Sequence, residues 1–97
     1  SDTEFADTEQ YYIKAIQDKE VLLTSSLQLY PELAADFKND LNELSKNYQK
    51  LKADFDINRS EEVLNALIKN LRLQQELLNN QIKIIHLINE ENENVSI

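Results

Sequence analysis

A chain of 97 residues with no glycine and a single proline has few ways to turn back on itself. Glycine reaches positive φ without steric cost, and tight two-residue hairpins and phosphate-cradling loops both lean on it. Its absence excludes Rossmann and Walker-type nucleotide sites and points to an all-α chain with rare turns. The lack of cysteine and the single histidine leave no disulfide framework, zinc finger, iron–sulfur site or thiol nucleophile. The length suits one domain, residues 1–97, with a modest core.

The sparse punctuation divides the chain into three helical pieces. Pro31 suits the first turn of a helix, where its missing N–H would have no partner anyway, so something ends before it. The second stop is Asp56-Ile57-Asn58-Arg59-Ser60-Glu61-Glu62. There Asn58 is the best left-handed helix end available, Ser60 is a ready N-cap, and Glu61 and Glu62 favour the positive end of a new helix dipole. Helices are expected at about 7–28, 32–56 and 60–91, followed by a frayed polar tail over 92–97. A 25-residue helix is ~38 Å long at ~1.5 Å per residue, and short connections make neighbours antiparallel. The expected object is an elongated, antiparallel three-helix bundle of coiled-coil type.

Apolar periodicity assigns the faces. In the second helix Leu33, Phe37, Leu41, Leu44, Tyr48, Leu51 and Phe55 form a narrow heptad seam with a polar opposite face. The third helix carries two stripes. Leu64, Leu67, Leu71, Leu78, Ile82 and Ile85 form one, interrupted by Gln74; Leu73, Leu77, Ile84 and Ile88 form the other. A helix with two apolar faces needs two partners. The first helix offers a looser stripe, Phe5, Tyr12, Ile16, Leu23, Leu27 and Tyr30, broken by Lys19. If it does not cover the second stripe, a second copy of the chain or another part of a larger protein must. Leu73, Leu77, Ile84 and Ile88 are therefore the candidate interface, and Gln74 is the candidate register-setting polar residue, since an amide between apolar layers fixes register at some cost in stability.

Charge narrows the partners. The formal charge is −8, and each third of the chain is net acidic, so there is no basic patch for nucleic acid or for an anionic membrane surface. No apolar run approaches the ~20 residues of a membrane span. The absence of methionine, together with the acidic opening, suggests a piece cut from a larger protein. His86 has no acidic residue three positions earlier to complete the Glu-x-x-His pair of a di-iron bundle. Asp36, Asp40 and Glu43 share one straight helix and cannot surround a cation. Tyr11 and Tyr12 cannot both point inward. No metal, cofactor or small-molecule substrate is expected, and no nucleophile, base and orienting group can be assembled into an enzyme site.

Three segments carry a resemblance: Tyr11-Tyr12, the run Tyr30 to Leu41 (YPELAADFKNDL), and Val63 to Gln81 (VLNALIKNLRLQQELLNNQ). Over most of residues 11–88 the chain resembles the C-terminal, extracytoplasmic part of a Bacteroidetes family of small single-span membrane anti-sigma factors. The resemblance implies a cytoplasmic sigma-binding segment and one membrane span preceding this domain, which would then lie in the periplasm and serve interaction or signal reception in transcription regulation. It implies no catalytic or binding residue. The expected function is a non-enzymatic helical interaction domain that acts through a protein partner or by forming a homodimer; the alternative is a periplasmic helical chaperone or adaptor.

Overall fold

The computed structural model describes residues 2–95, with side chains placed for 3–94. It is a rod of 58 × 22 × 18 Å built from α1 (Asp2–Ser26), a 3-10 turn (Leu27–Leu29), α2 (Pro31–Ile57) and α3 (Glu61–Val95). No strand occurs among the described residues. The expected all-α, elongated three-helix bundle is what the chain forms.

Local chemistry places each boundary. Pro31 occupies the first position of α2 and forces the preceding Tyr30 out of the helical region, to φ −131° and ψ 68°. The chain tightens into the 3-10 turn just before it, closed by the Tyr30 N–H donating to the Leu27 carbonyl at 2.9 Å. At the second corner Ser60 caps α3 as expected: the Val63 N–H donates to Ser60 Oγ at 3.1 Å. Asn58, however, is not left-handed. It is extended, at φ −128° and ψ 100°, because its own N–H still closes a turn on Asp54 while its carbonyl accepts from the Ser60 N–H. That arrangement carries the chain straight into the next cap.

The helix ends correct two expectations. The first helix begins at Asp2, not near residue 7, because Phe5 is buried and its ring packs against Phe55 at 5.5 Å; that contact is strong enough to draw the acidic opening into the helix. The third helix continues to Val95 rather than fraying after residue 91. No glycine or proline breaks it, and Asn92 donates its amide to Tyr30 Oη at 3.1 Å, while the same hydroxyl donates to Asn89 Oδ1 at 3.4 Å. The last two residues of the expected tail, 96 and 97, lie outside the described residues.

Packing is organised around α3. It lies against both α1 and α2, whereas α1 and α2 share few contacts with each other. The most deeply buried side chains are Leu67, Leu71 and Leu78, all on α3 and all in the first of the two stripes. Phe5, Ile16 and Leu23 close over them from α1, Leu27 from the 3-10 turn, and Phe37, Tyr48 and Phe55 from α2. Lys19 thus interrupts the α1 stripe without preventing it from packing. Burying one leucine contributes about 1.5–3 kcal/mol, so the α3 stripe is a large share of the few kcal/mol of net stability a domain of this size has.

Truncating Leu67 or Leu78 to Ala is expected to cost about 2–5 kcal/mol in urea unfolding. Leu22→Ala, at a position 54% exposed on α1, is expected to change stability by less than about 0.5 kcal/mol. Equal effects at the two kinds of site would contradict the α3-centred core.

Candidate functional site

The second stripe of α3 remains largely uncovered. Leu73 is 41% and Ile84 40% exposed, while Leu77 and Ile88 are half-buried. Directions around α3 explain this. The amides of Asn70 and Gln81 point at α2, donating to the Leu44 carbonyl at 3.0 Å and the Phe37 carbonyl at 3.2 Å. On the other side, Arg72 Nε donates to Tyr12 Oη of α1 at 3.1 Å, and Ile82 and Ile85 border Leu22 and Leu23. At ~100° per residue, Leu73 and Ile84 lie further round, beyond α2 and away from α1. The first helix therefore covers the flank of the first stripe and cannot reach the second.

The exposed face has a regular spacing. Leu73, Leu77, Asn80, Ile84 and Leu87 follow one another at intervals of four, three, four and three residues, the repeat of a helix-pairing seam. Leu87, 63% exposed, continues this face outward, whereas Ile88 beside it is half-buried. Sequence reading grouped Ile88 with the stripe and passed over Leu87; the intervening Asn80 hid the regular spacing. Exposed charges line the solvent edge of the same face: Lys69, Glu76, Lys83 and Glu90.

Gln74 is buried within the first stripe, and it is not alone. Asn70, Gln74 and Gln81 are all buried on α3. Gln74 Nε2 donates to Asn70 Oδ1 at 2.7 Å, and Asn70 and Gln81 anchor to α2 carbonyls as described. Among the described residues no buried side-chain nitrogen or oxygen lacks a hydrogen-bond partner, so the amides form a satisfied ladder that sets how α2 slides along α3. Gln74 is the one amide that the sequence singles out; Asn70 and Gln81 share its buried side. Asn70 follows Leu67 by three residues, and Gln81 follows Leu78 by three and precedes Ile85 by four, spacings that place both on the buried side.

A second polar cluster clasps the opposite end of the rod. Glu9 of α1 accepts from both Tyr48 Oη and Lys52 Nζ of α2, the latter at 2.5 Å, and Lys52 also lies 4.9 Å over the Phe5 ring. Burial pulls the Glu9 carboxyl upward, but the Lys52 ammonium and the Tyr48 hydroxyl outweigh it and hold it below the usual carboxylate value. Burial first, and then the adjacent carboxylate, push the Tyr48 phenol well above its ordinary value. The cluster is an ion pair bridging two helices.

The remaining candidates are dispersed. His86 is exposed beside a cleft of about 70 Å³ near Ser26 and Asn89. Asp36, Asp40 and Glu43 are exposed on α2, and no group of three or more His, Cys, Asp or Glu side chains suited to a metal ion occurs among the described residues. Tyr12 turns inward and Tyr11 outward, their rings edge to face at 5.5 Å. An open groove of about 610 Å³ runs between α1 and α2 over Leu78 and Gln81, where the two outer helices diverge. Comparison with known proteins finds no matching family, no matching curated protein and no matching solved structure.

Two measurements check this description. Asn70→Leu removes the acceptor of the Gln74 amide and is expected to cost about 1–3 kcal/mol, much of it recovered when Gln74→Leu is added; strictly additive losses would contradict the ladder. Glu9→Gln is expected to lower the melting temperature near neutral pH. Because the folded-state pKa of Glu9 is depressed, its contribution is present above the unfolded carboxylate pKa and fades as pH falls through the folded value. Wild type and variant should therefore converge in strong acid; a difference independent of pH would contradict the ion pair.

Proposed function

We propose that this chain is a non-enzymatic helical interaction domain and that α3 engages a protein partner through Leu73, Leu77, Ile84 and Leu87. The observation that carries the reading is the heptad-spaced apolar face left open on the helix that otherwise forms the core. Exposed leucines and isoleucines in a continuous line mark contact surfaces, whereas single ones are ordinary. The resemblance in Tyr30–Leu41 and Val63–Gln81 supports a setting at the periplasmic end of a single-span anti-sigma regulator of transcription. No helix among the described residues is long and apolar enough to cross a membrane, so in that setting the span belongs to a segment outside these helices. A partner on α3 would bias the packing of the bundle, and a rigid rod of this length could pass that bias to an adjoining span.

The chaperone or adaptor reading is less well supported. Holding varied unfolded clients suits a broad, adaptable surface, and this face is a narrow strip one helix wide with regular spacing.

The test pairs stability with regulation. The double variant Leu73→Asp/Ile84→Asp is expected to keep its helical circular dichroism and to lose no more than about 1 kcal/mol. In cells of the source organism it is expected to change transcription of genes read by an alternative sigma factor at unchanged protein abundance. An unaltered transcript profile would remove the regulatory role; suppression of the aggregation of an unfolding protein by the purified domain would favour the adaptor.

A further inference from the structure

The charges beside the open face identify its partner. Seven-residue steps along the solvent edge of the stripe carry Lys69, Glu76, Lys83 and Glu90, alternating in sign. The opposite edge carries Gln74 and Gln81, both buried in the chain's own core, and the half-buried Ile88. In a two-helix seam, charged residues at the edges set partner choice and orientation. When helices run parallel, the solvent edge of one meets the core-side edge of the other, so the charged row of one copy would face Gln74, Gln81 and Ile88 and find no opposite charge. When they run antiparallel, solvent edge meets solvent edge, and the row faces its own reversed sequence.

Reversal makes the row self-complementary in one register. With the two-fold axis near residue 79, Lys69 lies opposite Glu90 of the other copy and Glu76 opposite Lys83, and each pair occurs twice. Sliding one copy by a heptad places Lys69 opposite Lys83, and like charges across a seam repel. The same attractive register stacks Leu73 beside Ile84 and Leu77 beside Asn80, which covers the strip from Leu73 to Ile84. The charges therefore select among registers that the apolar spacing alone would allow.

We infer that the outer face of α3 pairs with the same face of a second copy of this chain, antiparallel, with Lys69 opposite Glu90 and Glu76 opposite Lys83. The inference rests on the interaction-domain reading above and names its partner. An isologous two-fold contact of this kind closes on itself, giving a dimer and not a filament.

The experiment uses charge reversal. Wild type is expected to give a mass near twice 11.3 kDa by light scattering at high concentration, falling toward monomer on dilution. Lys69→Glu/Lys83→Glu and Glu76→Lys/Glu90→Lys should each be folded by circular dichroism and monomeric, and mixing the two should restore a dimer containing one of each, resolved by native mass spectrometry. The second variant is decisive, because it reduces the chain's acidic excess from −8 and would strengthen any association limited only by general repulsion. Orientation is read with single cysteines in a chain that has none of its own: Leu73→Cys mixed with Ile84→Cys should oxidise to a mixed disulfide in preference to either self-disulfide. A wild type that is monomeric throughout, a dimer indifferent to both charge variants, or preferential self-disulfides would each overturn the inference. If wild type is monomeric while Leu73→Asp/Ile84→Asp still alters transcription, the self-pairing fails and the interaction-domain reading stands with a different partner.

Discussion

The burial of one stripe of α3 between two helices that hardly touch each other is the constraint on which this structure depends. Leu67, Leu71 and Leu78 are the most enclosed side chains, and they meet α1 on one flank and α2 on the other. In a closed three-helix bundle every pair of helices shares a seam. Here the third seam is replaced by a groove at one end and, at the other, by the clasp of Phe5 on Phe55 and Glu9 on Tyr48 and Lys52. Stability is therefore concentrated on a single helix, and damage to its inner stripe is felt by both contacts at once.

Leucine stripes alone specify such an arrangement loosely, because apolar seams tolerate sliding. The amides of α3 supply the missing specificity. Asn70 and Gln81 reach carbonyls of Leu44 and Phe37, about two turns apart on α2, so a displacement of α2 by one residue would leave both buried donors without partners. An unsatisfied buried amide costs more than the bond itself is worth on balance. The ladder thus sets register through the penalty for leaving it. Gln74, bonded to Asn70 within α3, keeps the Asn70 side chain oriented toward α2.

The same geometry explains why a functional face is left over. An α-helix with apolar residues on two sides can be fully covered only by partners on both sides. The connections into α2 and α3 are short, and the chain uses both other helices on the inner stripe and its flanks. The outer strip of Leu73, Leu77, Ile84 and Leu87 is left without a helix, edged by a row of alternating charges.

Much of this was written in the sequence. The absence of glycine, the position of Pro31 and the cap at Ser60 determined three helices and their corners, because those residues act through local backbone geometry. The seven-residue repeats determined which faces are apolar, including both stripes of α3. Other features were decided only by tertiary structure. Phe5 extends α1 to Asp2 because Phe55 is within reach across the bundle, and α3 continues past residue 91 because Tyr30 holds Asn89 and Asn92. Asn70 and Gln81 are buried because α2 carbonyls lie opposite them. Whether α1 would cover the second stripe of α3 was likewise invisible in one dimension. Periodicity states how wide an apolar face is; the angle between two packed helices decides who covers it.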